Sequence, residues 1–65
     1  MLKEDRIRGR LVRIEVGEAK GIGWVAVGEI MQGLKHEEGL LFEAEASDPA
    51  GAETRLTAEI EAYFA

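Results

Sequence analysis

Apolar and polar residues alternate along three stretches of the chain, and the spacing then changes to that of a helix. Residues 6–16, 22–31 and 40–46 alternate with period two and are rich in β-formers, which predicts three strands. Asp48 can cap a helix and Pro49 suits its first position, so a helix is predicted over residues 49–64. The apolar stripe of this helix consists of Ala52, Leu56, Ile60, Tyr63 and Phe64.

This order of elements predicts an α+β fold. A three-stranded antiparallel meander with one C-terminal amphipathic helix on one face is the simplest arrangement that buries the stripe, and residues 1–65 then form one domain. The alternation changes phase once in the first strand, since Ile7 and Leu11 share one side and Val12 and Ile14 share the other. We expect a β-bulge near Leu11-Val12, because a bulge adds one residue to the ladder and restores the phase.

The sheet face that the helix leaves open is the most informative feature. If Glu29 faces water, residues of like parity on its strand face the same way, because strand side chains alternate. The helix side then receives Trp24, Ala26, Gly28 and Ile30 from the second strand, Val12, Ile14 and Val16 from the first, and Leu40, Phe42, Ala44 and Ala46 from the third. The open side has an apolar centre and charges of both signs around it, which predicts a protein interface. This predicted interface consists of Val25, Val27, Met31, Leu41, Arg13, Glu43 and Glu45.

A second copy of the chain is the expected partner, with a dimer favoured. Small domains gain stability from oligomerisation, and this chain has 65 residues. In a two-fold contact, Arg10 and Arg13 of one subunit would meet Glu43 and Glu45 of the other.

Composition narrows the class of protein. The chain has no cysteine, which excludes disulfides and thiolate chemistry, and its longest uncharged stretch, residues 21–28, is too short to span a membrane. No secretory signal is expected at residues 1–6, so a cytoplasmic location is predicted. The absence of Asn and the single Gln suggest a heat-adapted source.

The charge is unevenly distributed and leaves an alternative function open. Net charge is −5, but residues 1–20 carry six basic and four acidic side chains. The arginines of the first strand could form a nucleic-acid surface, in which the first three share one strand side: Arg6, Arg8, Arg10 and Arg13. An acidic chain repels polyanions at long range, so nucleic acid is the less favoured partner.

The order of elements also carries a family resemblance. Three strands followed by a helix, with Trp24-Val25-Ala26 on the second strand, resemble the DNA-binding domains of plant ethylene-response factors and the amino-terminal domains of phage integrases. The W-x-A-x-G-x-I strand that begins at Trp24 is similar to that of small bacterial β-β-β-α proteins. In the DNA-binding families, the open sheet face enters the major groove through Arg and Trp. This chain departs from them by placing Glu29, Glu43 and Glu45 on that face.

No motif predicts catalysis. Residues 21–26 match the G-x-G-x-x-A spacing of dinucleotide-binding loops, but a hairpin turn explains their context better. His36 and Ser47, each the only residue of its type, are better explained as a loop residue and a helix-start residue. Glu43 and Glu45 could pair as carboxylates, but a flat face provides no cleft. We therefore expect a non-enzymatic protein with no metal or cofactor.

Overall fold

The computed structural model of the protein describes residues 1–21 and 23–65. Its elements in chain order are β1 (Leu2–Ile7), β2 (Arg10–Ala19), β3 (Gly23–Gln32), a short 3₁₀ helix (Lys35–Glu37), β4 (Leu41–Ala46) and α1 (Pro49–Tyr63). The strands form one antiparallel sheet in the order β1-β2-β3-β4, and α1 packs on one face. The α+β class, the antiparallel sheet and the single C-terminal helix are confirmed. The predicted start of the second strand, at Ile22, lies outside the described residues.

The sheet has four strands rather than the three predicted. Arg8 and Gly9 form a two-residue turn with positive φ angles of 48° and 82°, and Ile7 pairs with Arg10 across it. Such a turn brings Ile7 and Val12 to the same sheet face, whereas an unbroken strand would place them on opposite faces. The change of phase in the sequence therefore marks a hairpin, which the strand prediction over residues 6–16 overlooked.

A register shift is nevertheless present at the predicted place. Leu11 pairs with Gln32 on β3, whereas Val12 pairs with Ile30, so Met31 is the extra residue of the ladder. The irregularity lies between β2 and β3, and the additional residue belongs to β3. The protein therefore has both features: the hairpin turn at Arg8-Gly9 and the register shift between β2 and β3.

The helix begins as the sequence predicts. The Asp48 carboxylate accepts a hydrogen bond from the Gly51 amide at 2.6 Å, and Pro49 occupies the first turn. Three stripe residues are fully buried against the sheet: Ala52, Leu56 and Ile60. Tyr63 is 61 % exposed, so its predicted place in the buried stripe is wrong. Its ring instead packs edge-on against Phe42, at the border of the core.

The core lies between α1 and the helix-facing side of the sheet. Its buried strand residues are Ile7, Val12, Ile14, Val16, Ala26, Ile30 and Ala44, with Trp24, Leu40, Phe42 and Ala46 packed against them. The predicted helix-facing residues are therefore confirmed, but Ile7 lies with them and not on the opposite face. Gly28 lies at the centre, where a Cβ atom would stand 3.1 Å from Ile60 Cδ1 and 3.3 Å from Leu56 Cδ2. Because Gly28 has no side chain, the helix can lie this close to the sheet.

Candidate functional site: the open face of the sheet

The open face is the side of the sheet opposite α1. Strand alternation and the observed pairing place on it Leu2, Glu4 and Arg6 of β1, Leu11, Arg13, Glu15, Gly17 and Ala19 of β2, Gly23, Val25, Val27 and Glu29 of β3, and Leu41, Glu43 and Glu45 of β4. In the part of the chain that the structure describes, no element packs over this side. The register is set by β3, because a shift of one residue would turn Ala26 and Gly28 outward and the valines into the helix.

The centre of the open face is apolar. Val25 and Val27 lie on the inner strand β3 and are half-buried, since side chains of the neighbouring strands flank them. Leu2 is 60 % exposed on one edge strand, and Leu41 is 68 % exposed on the other. An apolar centre between two exposed leucines is unusual for a sheet face in contact with water.

The charges of the open face are mixed but mainly acidic. Arg13 lies directly opposite Glu4 on β1 and Glu29 on β3, a cross-strand arrangement that favours opposite charges. Glu43 pairs with Val27 and Glu45 with Val25, so each valine has a carboxylate beside it. Five glutamates and two arginines lie on this face in all.

The structure brings together most of the predicted interface. Six of the predicted interface residues lie on the open face: Arg13, Val25, Val27, Leu41, Glu43 and Glu45. Met31 is half-buried and stands at the register shift, without a partner on β2. Arg10 does not lie among these residues, because it follows the turn and shares the helix side with Val12. The expected contact of Arg10 with Glu43 and Glu45 of a second subunit is therefore corrected.

The arginines of the alternative function do not share one strand side. Arg6 and Arg13 lie on the open face, Arg8 is in the turn, and Arg10 is on the helix side. The hairpin causes this separation, because two turn residues stand between Arg6 and Arg10 and reverse the chain. The predicted row formed by Arg6, Arg8 and Arg10 is wrong.

Arg10 forms a partly buried ion pair that sequence reasoning missed. Its guanidinium donates two hydrogen bonds to the Glu37 carboxylate, at 3.0 and 2.7 Å, and lies over the Phe64 ring at 4.1 Å. The Leu34 amide donates a further hydrogen bond to Glu37 at 2.9 Å. The Arg10 guanidinium, together with this amide, lowers the pKa of Glu37 to about 2, although burial opposes the shift.

This pair ties three parts of the chain together: the start of β2, the 3₁₀ helix and the end of α1. Nothing in the run Lys35-His36-Glu37-Glu38 distinguishes Glu37 from its exposed neighbour Glu38. Four consecutive charged or polar residues are typical of a loop in contact with solvent. Only the folded chain shows which carboxylate meets Arg10.

The residues considered for catalysis lie apart. His36 is exposed on the 3₁₀ helix before β4, and Ser47 is exposed after β4, so the length of that strand separates them. Among residues 1–21 and 23–65, no group of three or more His, Cys, Asp or Glu side chains could hold a metal ion. No helix within those residues is long and apolar enough to cross a bilayer.

Comparison with known proteins gives no further guide to the site. No protein-family model, no curated protein and no solved structure matches the chain. The open face must therefore be interpreted from its own geometry and chemistry.

Proposed function

We propose that the protein is a non-enzymatic interaction module that forms a homodimer through the open face of its sheet. The observation that carries the proposal is the exposure of Leu2 and Leu41 on either side of Val25 and Val27, opposite the helix. A second copy is favoured because it supplies the same apolar centre without requiring another protein, and because small domains gain stability when they associate.

The size of the open face suits a weak dimer. Four strands about 4.8 Å apart, with about eight residues each at 3.3 Å, cover about 500 Å². Two such faces would bury about 1,000 Å² in total, which is at the lower end for specific complexes. We therefore expect a dissociation constant in the micromolar range and monomers at low concentration.

One arrangement of the two copies also places an opposite charge against Arg13 of the open face. A two-fold axis parallel to the strands, between β2 and β3, sets β2 of each copy across β3 of the other. Arg13 then faces Glu29 of the second copy and Gly17 faces Val25, while Glu15, which pairs with Val27 within the sheet, faces Val27 of the second copy. No atom lies within 4 Å of the position that a Cβ of Gly17 would occupy, so there is room for the valine.

The effect of salt concentration on affinity distinguishes this dimer from complexes that opposite charges hold together. The open face carries more acidic than basic side chains, so two copies repel at long range while their apolar centres attract. Screening by salt should strengthen the dimer. A nucleic-acid complex would weaken with salt instead. The mixture of Arg6 and Arg13 with five glutamates on this face supports the dimer over the nucleic-acid alternative.

Sedimentation velocity over a concentration series tests the proposal. Val27→Glu places a charge at the apolar centre and should leave monomers at concentrations where the wild type is dimeric. Ala50→Glu is the matched control, since it adds the same charge to an exposed position in the first turn of α1, which tolerates acidic residues. A monomeric wild type at millimolar concentration, or a dimer that Val27→Glu leaves unchanged, would contradict the proposal.

A further inference from the structure

The β1–β2 hairpin ends in a turn whose first residue is unfavourable for its backbone. Arg8 has a φ of 48°, and it is the one residue other than glycine with positive φ in the described chain. Two-residue turns of this kind favour Asn, Asp or Gly at that position, because a longer side chain is strained there. Strained residues are concentrated at functional sites, so the Arg8 side chain calls for a role that the backbone does not supply.

Two further arginines are held against the same turn. Arg10 Nη1 donates a hydrogen bond to the Arg8 carbonyl at 2.8 Å, and Arg6 Nη1 lies 3.5 Å from the Gly9 carbonyl. The three arginines line one shallow groove, together with Gly9, Gln32, Gly33, Leu34 and Glu37. We call this groove the hairpin groove. It brings together guanidinium groups that the strand pattern had assigned to a single row.

Two of these cations have no carboxylate partner. The ion pairs found among residues 1–21 and 23–65 are Lys3 with Glu53 and Arg10 with Glu37. Arg6 and Arg8 belong to neither pair, and both residues are exposed. In a chain with thirteen acidic side chains, two free guanidinium groups at one groove form a local site of positive charge.

We propose that the hairpin groove binds a small ligand through a phosphate group. Guanidinium groups match phosphate oxygens with paired hydrogen bonds, and neither Arg8 nor Arg6, whose Nη1 has only the long contact with the Gly9 carbonyl, is paired with a carboxylate. Arg10 is already held by Glu37 and Phe64, so it lines the groove but does not offer two unpaired N–H groups to a ligand. This inference does not rest on self-association, although Arg6, on the edge strand β1, belongs to both the open face and the groove.

A small ligand is favoured over a nucleic-acid strand because acidic residues lie on both sides of the groove. Glu4 and Asp5 precede Arg6 on β1, and Glu37 forms part of the groove wall. A long polyanion that bound the two free arginines would have to pass these carboxylates. A ligand with one or two phosphate groups would meet only Glu37, whose charge is already paired with that of Arg10.

Titration of ¹⁵N-labelled protein with pyrophosphate at low salt tests the inference. We expect saturable shifts of the Gly9, Arg10 and Gly33 amides, with a dissociation constant of about 1 mM or below. The open-face valines should not respond. Absence of saturable shifts at these amides would overturn the proposal, whether or not the protein dimerises.

Arg8→Asn separates a binding role from a structural one. It removes one charge and creates an Asn-Gly turn, so the hairpin should be at least as stable as in the wild type, while pyrophosphate affinity falls at least tenfold. Arg6→Gln provides a second variant with the same expected loss. Lys20→Gln is the matched control, because it removes a charge at the opposite end of β2 and should leave affinity nearly unchanged. Equal affinities for Arg8→Asn, Arg6→Gln and the wild type would overturn the proposal.

A thymidine strand of about twelve nucleotides provides the second arm of the titration. The proposal predicts that its affinity per phosphate does not exceed that of pyrophosphate and that its salt dependence corresponds to about two contacts. Much tighter binding, with a salt slope that indicates six or more contacts, would show a nucleic-acid surface and overturn the small-ligand proposal.

Discussion

The close approach of α1 to the sheet makes Gly28 a sensitive position. In Gly28→Ala, the new methyl group would stand 3.1 Å from Ile60 Cδ1 and 3.3 Å from both Leu56 Cδ2 and Val12 Cγ1. All three neighbours are fully buried, so they cannot move aside without disturbing the core. Overpacking of this kind costs about 1–3 kcal/mol.

Gly17 is the matched control on the neighbouring strand. It faces the open side, and nothing lies within 4 Å of the position that its Cβ would occupy. Gly17→Ala should stabilise the fold by about 0.4–1 kcal/mol, because alanine restricts the unfolded chain more than glycine does. A 65-residue domain has about 3–10 kcal/mol of stability in total, so the two variants should differ clearly.

Urea unfolding measures both effects, with the slope of the transition as a check that the unfolded state is unchanged. The double variant Gly28→Ala/Ile60→Val sharpens the test, since valine lacks the Cδ1 atom that the new methyl group meets. Ile60→Val alone should cost about 0.5–1.5 kcal/mol, and in the double variant part of the Gly28→Ala cost should disappear. If Gly28→Ala is as stable as Gly17→Ala, the helix does not lie where the structure places it.

The remaining predictions concern the Arg10–Glu37 pair. Glu37 has a pKa of about 2 when folded, below its usual value of 4.5, so the stability that the pair contributes is present above about pH 4.5 and is lost as the pH falls towards 2. Glu37→Gln should be less stable than the wild type at neutral pH, and thermal unfolding should show this difference shrinking in acid; Glu38→Gln is the exposed control, and equal pH profiles for all three proteins would contradict the assignment. Gly33→Ala should reproduce the Glu37→Gln profile, because a Cβ there would stand 2.6 Å from Glu37 Oε1 and 2.9 Å from Arg10 Cγ. A wild-type profile for Gly33→Ala would show that the ion pair tolerates the methyl group.

Most of the fold can be predicted from the spacing of apolar residues along the sequence. The helix-facing residues of β3 and β4 and the buried stripe of α1 follow from alternation and helical spacing, because each face buries against a single neighbour. The cap at Asp48 follows from its own side-chain chemistry. The extra strand was missed because Arg8-Gly9 lacks the Asn-Gly or Asp-Gly signature that usually marks a two-residue hairpin.

The candidate site was only partly accessible from the sequence. Strand parity predicted the open-face residues of β3 and β4 and Arg13 of β2, and it failed for Arg8 and Arg10 because the turn at Arg8 reverses the chain. The Arg10–Glu37 pair joins residues that are 27 positions apart, and Glu37 lies in a segment without a regular pattern of apolar residues. Neither charge spacing nor hydrophobic periodicity carries information about such a contact.

Self-association through the open face is tested most directly by isotope-filtered NMR on a mixture of labelled and unlabelled protein. The account predicts intermolecular contacts from the methyl groups of Val25, Val27 and Leu41, which grow with concentration and with salt. Intermolecular contacts confined to α1 or to the hairpin groove, or none at millimolar concentration, would contradict it.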